Sequence, residues 1–285
     1  MTRHPSQKRQ EIRAAAERLQ QAAATHVSCT PVRDLIGTDD VAAAYAVQSI
    51  IVGDRIAAGA TVVGRKIGLT SPAVQQWLGV DTPDFGVLLD DMAYDEDQVV
   101  PIDSLLQPRA EAEIAFVLSA DLTEGPFTAE SVRAAVDHAR AAIEIVDSRI
   151  TDWDIKLGDT VADNASSGAY VLGATRRTLD EFEPVDAVMS MTFDGEEVST
   201  GTGAACLGDP LNALAWLATA ALEYGEPLRA GQVVLSGALG PVHPVPPGAV
   251  VRAEITGLGS VTATFSASPV EPSEERARVE TKEEQ

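Results

Sequence analysis

The sequence predicts an α+β fold, with helices at the N-terminus and β-strands dominating from residue 61 onward. Apolar residues recur at helical spacing in the first 60 positions, whereas short β-like segments separated by Gly, Pro and Asp fill most of the rest. No internal repeat of fixed period is visible. We therefore expect an N-terminal helical cap or arm at residues 1–60, a β-rich domain at residues 61–268 and a disordered acidic tail at residues 269–285.

Four helices are predicted. The first spans residues 8–24, and the second follows residues 38–40, whose side-chain oxygens can cap it, and runs towards Gly59. A third is expected at residues 129–140. The fourth has the clearest boundaries, because Asp209 can cap it, Pro210 suits its first position and Gly225 suits the position after its last turn.

The β-rich part contains eight segments with strand character. They are residues 61–67, 112–118, 141–146, 169–172, 188–193, 232–236, 250–255 and 260–265. Three polar or glycine-containing segments between them are expected to be turns or loops: residues 81–86, 159–168 and 201–203. A turn at residues 81–86 would place Asp84 over a site.

The composition narrows the classes of partner. A formal charge of −22 on 285 residues repels phosphate backbones and anionic lipid surfaces, so we expect neither a nucleic acid nor a membrane partner. The first 19 residues lack the apolar core of a signal peptide, which predicts a cytoplasmic protein. Cys29 and Cys206 are far apart in the sequence and form no thiolate metal motif.

The acidic pair Glu111 and Glu113 is the strongest candidate for a functional site. If residues 112–118 form a strand, alternation places both glutamates on one face and the apolar residues on the other. Adjacent carboxylates repel each other unless a cation lies between them, and hard divalent cations prefer oxygen ligands. A half-exposed strand with a solvated acidic face is the alternative interpretation.

A third glutamate strengthens the metal interpretation. Glu144 lies in the middle of the apolar segment at residues 141–146. A carboxylate is costly to bury unless it is paired or binds metal. Three glutamates on two strands could hold one Mg²⁺ or Mn²⁺ and leave open positions for substrate and water.

A cationic segment, residues 64–70 (GRKIGLT), provides candidate partners for these acids. Lys66 could balance the glutamates or hold an anionic substrate, and the flanking glycines permit close backbone approach. A lysine that protects an edge strand from aggregation is the alternative. No nucleophile elbow, phosphate-binding loop or dinucleotide fingerprint is present in the sequence.

Five segments together resemble a known family. They are residues 64–70 (GRKIGLT), 83–86 (PDFG), 107–113 (QPRAEAE), 160–166 (TVADNAS) and 237–241 (GALGP). In this order they resemble the 2-hydroxypenta-2,4-dienoate (2-keto-4-pentenoate) hydratases of the fumarylacetoacetate hydrolase superfamily, which act in meta-cleavage degradation of aromatic compounds. The likeness runs from about residue 30 to residue 266.

The resemblance implies a mixed β-sheet roll with flanking helices and a homo-oligomer. It also implies roles for individual residues: Glu111, Glu113 and Glu144 as metal ligands, Lys66 and Asp84 as the catalytic proton-transfer and substrate-positioning groups, and Arg65 and Ser166 as substrate-binding residues. Leu239 is a further substrate-binding candidate that could shape the pocket, with ordinary core packing as the alternative. Residues 61–268 would then be the catalytic domain.

The implied reaction is hydration of a 2-hydroxy-2,4-dienoate, with the metal stabilising charge on the C2 oxygen of the substrate. A desolvated lysine can have a lowered pKa, so Lys66 and Asp84 are both candidates for proton transfer, in an order that the sequence leaves open. Two alternatives remain: a 4-oxalocrotonate-type decarboxylase, and a non-catalytic subunit of such a complex. A complex with a decarboxylase or aldolase of the same pathway is also left open.

Overall fold

The computed structural model describes residues 5–71, 75–76 and 79–267. The predicted acidic tail lies outside these residues. Six α-helices are present in the described part of the chain: α1 Pro5–Thr25, α2 Arg33–Ile36, α3 Val41–Ala57, α4 Ala129–Arg133, α5 Leu157–Ala162 and α6 Pro210–Glu223.

Thirteen strands form within the same described residues: β1 Val62–Gly68, β2 Asp84–Leu89, β3 Ala93–Tyr94, β4 Val99–Val100, β5 Arg109–Leu118, β6 Val136–Val146, β7 Ser167–Leu172, β8 Val188–Phe193, β9 Glu196–Thr202, β10 Val233–Ala238, β11 His243–Pro244, β12 Val250–Ile255 and β13 Gly259–Phe265.

The strands build two mixed sheets. The larger has the order β2-β1-β10-β5-β6-β7-β3, with β11 paired to β5, and the smaller has the order β4-β13-β12-β8-β9. Strands β12 and β13 of the smaller sheet pack against β6 of the larger one, and α6 packs against β10. This architecture confirms the predicted α+β class and the mixed-sheet roll with flanking helices.

The ladder between β5 and β6 is the frame of the candidate site. Its antiparallel register is regular from Arg109, paired with Val146, to Val117, paired with His138. The predicted helix at residues 129–140 is wrong beyond Arg133, because the chain enters β6 at Val136. Local sequence favours a helix there, but the long partner strand β5 extends the ladder across ten residue pairs.

Three other predictions about irregular segments need correction. Residues 81–86 are not only a turn, because β2 begins at Asp84. The predicted loop at residues 159–168 contains most of α5, a 3-10 turn at Asn164–Ser166 and the start of β7. Residue 201, expected in a loop, lies within β9. Each segment gains regular structure from neighbours that are distant in the sequence, which local turn propensity does not reveal.

Of the helices near the N-terminus, α3 packs beside β2 at the edge of the larger sheet. Asp40 caps α3 as predicted, because its side chain accepts a hydrogen bond from the backbone N–H of Ala43. From α3, Gln48 Nε2 donates to the backbone oxygens of Phe85 and Val161, each at 3.0 Å. The side-chain amide of Gln48 therefore links the edge strand β2 to α5. It also provides a hydrogen-bond partner for an edge of β2 that no other strand in the described part of the chain covers.

Helix α6 has the boundaries that the sequence predicted. Asp209 accepts a hydrogen bond from the N–H of Leu211 at 2.8 Å, and Pro210 occupies the first position. By length and composition one described segment, Gly203–Glu223, could cross a membrane, with a mean hydropathy of 1.2. Its most apolar window is 56% buried inside the protein, as is usual for the core helix of a folded domain.

Candidate active site

The predicted acidic and basic residues meet on one face of the larger sheet. Asp84 comes from β2, Lys66 from β1, Glu111 and Glu113 from β5, and Glu144 from β6. Alternation explains the shared face: Glu111 lies directly opposite Glu144 in the ladder, and Glu113 is two residues further along β5. The sequence therefore brings groups from four strands to one place through strand register alone.

The three glutamates form a compact cluster. One carboxylate oxygen from each lies within 4.8 Å of those of the other two. Glu113 and Glu144 are buried, and Glu111 is partly exposed. Burial, followed by repulsion from Glu144, raises the pKa of Glu111 to about 7 and raises that of Glu113 well above its usual range.

The donor set fits a divalent cation. Glu113 Oε1 and both carboxylate oxygens of Glu144 are buried without a hydrogen-bond partner among the described residues. Buried carboxylate oxygens without partners are costly, and a hard cation with oxygen ligands would satisfy them. Glu113 Oε2 already accepts a hydrogen bond from the N–H of Gly237 at 2.8 Å, which fixes the orientation of that carboxylate.

Gly237 allows this contact because it has no side chain. Its φ is +109°, and a Cβ there would lie 2.4 Å from Thr70 Oγ1. Gly68 plays a related role on β1, since a Cβ at that position would lie 2.2 Å from Asp84 Oδ1. The two glycines let backbone and carboxylate approach each other closely. For Gly68 this was expected, because it flanks the cationic segment.

Lys66 is the buried cation of the cluster. Its ammonium lies 3.1 Å from Glu144 Oε1, without the alignment of a hydrogen bond, and donates to the backbone oxygen of Ala165 at 3.0 Å. Burial acts to lower the pKa of Lys66, but the nearby carboxylates, led by Glu144 and Asp84, outweigh it and raise that pKa. With no cation between the carboxylates, the pKa of Lys66 is therefore raised and not lowered, which favours a protonated ammonium.

Asp84 lies beside Lys66 in a different electrostatic state. Burial raises its pKa to about 6, and Lys66 opposes that rise. The side chain of Thr160 on α5 hydrogen-bonds the carboxylate, while Asp84 Oδ1 is buried without a partner in the described residues. A carboxyl group with this pKa and a free oxygen can take up and release a proton near neutral pH.

A left-handed turn covers Lys66 and Asp84. Asn164, Ala165 and Ser166 have φ values of +54°, +51° and +54°. Left-handed backbone costs about 1–2 kcal/mol per residue for side chains other than glycine, so the surroundings must hold the turn in place. The turn directs the carbonyl of Ala165 at Lys66 and places the hydroxyl of Ser166 3.3 Å from that of Thr160.

Several contacts hold this turn. The Asn164 side chain exchanges hydrogen bonds with the backbone N–H and oxygen of Val87 at 2.8 and 2.9 Å, so it pairs with the free edge of β2 as a neighbouring strand would. The Arg149 side chain donates hydrogen bonds to the carboxylate and to the backbone oxygen of Asp163, the residue just before the turn. Such fixed backbone strain is typical of functional sites.

Two predicted residues lie elsewhere. Arg65 follows the opposite alternation from Lys66 and forms an ion pair of 2.7 Å with Glu226. Both line a cavity of about 370 Å³ whose lining includes none of Glu111, Glu113 and Glu144. Leu239 is fully buried in the main hydrophobic core. This corrects the expectation that all eight candidates share one site, and only six of them come together.

Tyr45 and Thr160 contact the site but were not singled out in the sequence as functional residues. The Tyr45 hydroxyl accepts a hydrogen bond from the N–H of Phe85 at 3.3 Å, and burial and the charge of Asp84 raise the pKa of Tyr45. The only sequence signal was a phenol within the apolar face of a helix, which is ordinary core composition. Thr160 lies in one of the resemblance segments but carries no separate signal.

Replacing Tyr45 with phenylalanine is expected to lower kcat about tenfold with little change in KM. The buried N–H of Phe85 then loses its partner, at a cost of about 1–3 kcal/mol, and the strand start that carries Asp84 is less firmly held. Tyr224→Phe is the matched control, because Tyr224 belongs to the same aromatic cluster but is 47% exposed. Equal kinetics in the two variants would contradict a role for the Tyr45 hydroxyl.

The metal-free protein is expected to lose stability as the pH rises. Raised folded-state pKa values, about 6 for Asp84 and about 7 for Glu111, mean that the folded state binds more protons than the unfolded state between about pH 4 and 7. The contribution of these two carboxyl groups to the free energy of unfolding is present below pH 4 and is lost as the pH rises through 6 and 7.

Thermal unfolding measures this effect. With EDTA, the Tm should fall between pH 5 and pH 8, and Glu111→Gln should reduce that fall. Added Mg²⁺ should raise the Tm more at pH 8 than at pH 5, because protons compete for the same oxygens. An equal effect of Mg²⁺ at both pH values would show that these carboxylates do not bind it.

Comparison with known proteins identifies the family of the chain. The model of the fumarylacetoacetate (FAA) hydrolase C-terminal family matches residues 66–266, which include all six clustered candidates. The chain belongs to the fumarylacetoacetate hydrolase family. The region before residue 66, which contains α1 to α3, lies outside that match.

Within the fumarylacetoacetate hydrolase family, the chain is similar to hydratases. It is 53% identical over 255 residues to the TodF product hydratase of Pseudomonas putida, covering 90% of this chain and 95% of that protein. It is 52% identical over 255 residues to the 2-keto-4-pentenoate hydratase of Burkholderia vietnamiensis, covering 90% and 97%. The predicted resemblance and the predicted hydratase type of enzyme are confirmed.

The chain is also similar to a solved structure. The 4-oxalocrotonate decarboxylase from Pseudomonas putida G7, complexed with magnesium and adipate, is 35% identical, with a TM-score of 0.86 over 90% of this chain and 98% of that chain. That protein was complexed with a divalent cation, which agrees with the carboxylate donor set described above.

Proposed function

We propose that the protein is a metal-dependent hydratase that adds water to a 2-hydroxy-2,4-dienoate, giving a 4-hydroxy-2-oxo acid in meta-cleavage degradation of aromatic compounds. The observation that carries the proposal is the cluster of three glutamates with unpartnered buried oxygens, next to Lys66 and Asp84. Its occurrence in a chain about half identical to hydratases over nearly its whole length supports this chemistry.

Glu111, Glu113 and Glu144 would hold the divalent cation, Mg²⁺ or Mn²⁺. When bound, the cation supplies Lewis-acid stabilisation of negative charge on a substrate oxygen. The protein excludes water on the buried side of the cluster, where Glu113 and Glu144 are both at most 1% exposed. The same burial strengthens the interaction between the carboxylates and any cation held there.

The two catalytic candidates have different tasks in this proposal. Lys66 stays protonated and holds positive charge beside Glu144, where it orients the negative end of the substrate. Asp84 carries the proton that moves during the reaction, because its pKa is about 6 and its Oδ1 has no partner in the described residues. Thr160 holds the other oxygen of Asp84 in place.

Ser166 would bind the substrate carboxylate. Its hydroxyl is buried at the end of the left-handed turn, next to Thr160. A hydroxyl can donate to a carboxylate, and the strained turn fixes where that donor lies. Arg65 and Leu239 have no part in this proposal, because their side chains lie away from the cluster.

Turnover by the purified protein tests the function. With Mg²⁺, 2-hydroxypenta-2,4-dienoate should lose its ultraviolet absorbance and give 4-hydroxy-2-oxopentanoate, and EDTA should stop the reaction. Release of carbon dioxide from 4-oxalocrotonate, with no hydration of the dienoate, would instead identify a decarboxylase. No turnover of either substrate without a second protein would identify a non-catalytic subunit.

We further infer a cytoplasmic protein, in agreement with its acidic composition, and a homo-oligomer, as the family resemblance implies. Light scattering on the purified protein gives the number of subunits, and a monomer at micromolar concentration would contradict the oligomer. Co-purification with the decarboxylase or aldolase of the same pathway would reveal a complex.

A further inference from the structure

The exposure of β5 indicates where the site opens. Along the face of β5 that carries the metal-ligand candidates, Glu113 is buried, Glu111 is partly exposed and Arg109 is partly exposed. Lys66 and Asp84, the two charged residues of the candidate active site on neighbouring strands, are both 2% exposed. The two partly exposed residues of this face therefore lie at the start of β5, so a substrate entering from that end meets Arg109 and Glu111 before it meets Glu113.

Arg109 shares the face of the glutamates. The ladder with β6 is regular from Arg109 to Val117, so residues 109, 111 and 113 alternate onto the same side. Two residues of strand span about 7 Å, which is within the reach of an arginine side chain. The guanidinium can therefore contact a small molecule that is held at Glu111.

The guanidinium of Arg109 is available to bind an anion. Within the described residues it makes no hydrogen bond or ion pair, although the chain carries 43 acidic residues and 21 basic ones. Its Cζ instead lies 4.4 Å from the centre of the Trp153 ring. This cation–π contact holds the planar group in one orientation without using its N–H donors.

Trp153 is itself held in position. Its indole N–H donates to the backbone oxygen of Gln107 at 3.2 Å, two residues before Arg109. The ring is therefore hydrogen-bonded to the segment that leads into β5 and carries the arginine. An arginine kept on a fixed ring, with its five donors free, is suited to bidentate recognition of a carboxylate.

Arg109 and Ser166 lie at the same end of β6. Val146 pairs with Arg109, and the N–H of the next residue, Asp147, donates to the backbone oxygen of Ser166 at 2.7 Å. The backbone of Ser166, whose hydroxyl is proposed to bind the substrate carboxylate, thus pairs with one side of this strand end, and the backbone of Arg109 pairs with the other.

We propose that Arg109, oriented by Trp153, binds the carboxylate of the anionic substrate at the mouth of the site together with Ser166. The inference rests on the proposed function for the identity of the substrate, a 2-oxo or 2-hydroxydienoate. It assigns to Arg109 a role in substrate binding and to Trp153 a positioning role. An otherwise strongly acidic protein thereby attracts an anion to its site.

Kinetics and binding of two variants test the role. Arg109→Gln should raise KM for the dienoate about tenfold, as expected for the loss of one charge-assisted contact, with kcat within about twofold of wild type. Arg109→Lys should raise KM about threefold, because charge remains but the planar fork is lost. Arg252→Gln, which removes an exposed arginine from the smaller sheet, is the control and should change neither kcat nor KM.

Oxalate binding in the presence of Mg²⁺, measured by calorimetry, tests the same contact without turnover. Its Kd should rise about tenfold in Arg109→Gln, even if the wild-type protein hydrates no dienoate, so failure of the proposed function is distinguishable from failure of this inference. If Arg109→Gln does not fold, Arg109→Lys gives the answer. Unchanged KM and Kd in a folded variant at position 109 would overturn the proposal.

Discussion

Glu113→Gln is expected to abolish metal-dependent turnover while the protein stays folded. The glutamine keeps the volume and can still accept the hydrogen bond from Gly237, but it removes one of three anionic ligands. The charge of the ligand set governs the affinity for a hard cation, so we expect Mn²⁺ affinity to fall on the order of a hundredfold. Calorimetry with Mn²⁺ and the ultraviolet assay measure the two effects.

The same variant has a second expected effect of opposite sign. In EDTA its Tm should be higher than that of wild type, because burial and repulsion from Glu144 and Glu111 raise the pKa of Glu113, so the charge of Glu113 destabilises the metal-free fold. Glu254→Gln, which changes an exposed glutamate of the smaller sheet, is the control and should have the Tm of wild type in EDTA. Full activity of Glu113→Gln in EDTA would contradict the metal site.

Lys66→Ala is expected to lower kcat by about a thousandfold or more, within the range for loss of a positioned charged group in the site. The three glutamates remain, so Mn²⁺ should still bind. Without metal, the variant leaves Asp84 and the glutamates buried with no balancing cation, and removing one partner of a buried pair costs about 3–5 kcal/mol. We therefore expect the metal-free variant to unfold at lower temperature than wild type.

Two measurements separate these effects of Lys66. The rate with saturating Mn²⁺ measures the effect of Lys66 on catalysis. The Tm difference between EDTA and Mn²⁺ measures how much the metal-free fold depends on Lys66 to neutralise the buried carboxylates. Lys156→Met, which removes an exposed lysine beside α5, is the control and should leave both unchanged. A near-normal rate of dienoate loss in Lys66→Ala would remove Lys66 from the mechanism.

Features with a local cause were predictable from the sequence. Strand alternation placed Glu111 and Glu113 on one face, and the apolar surroundings of Glu144 marked it as a buried acid, so the cluster was predicted before its geometry was known. The boundaries of α6 followed from Asp209 and Pro210, whose effects on a helix start do not depend on the rest of the fold.

Features that depend on distant contacts were not predictable in the same way. The helix expected up to residue 140 ends at Arg133, since β5 requires a long partner strand. The left-handed turn at residues 164–166 is stabilised by Val87 and Arg149, neither of which marks the turn in the sequence. A resemblance segment included Arg65, but only the fold reveals that its side chain faces away from the glutamates.

The central claim is that three glutamates from β5 and β6 hold one divalent cation that the substrate also contacts. Crystals grown with Mn²⁺ and oxalate, measured at the manganese absorption edge, test it most directly. We predict one anomalous peak per chain within bonding distance of Glu111, Glu113 and Glu144, with oxalate on its open side. A crystal saturated with Mn²⁺ that shows no anomalous peak between these carboxylates, or shows the ion bound elsewhere, would contradict the account.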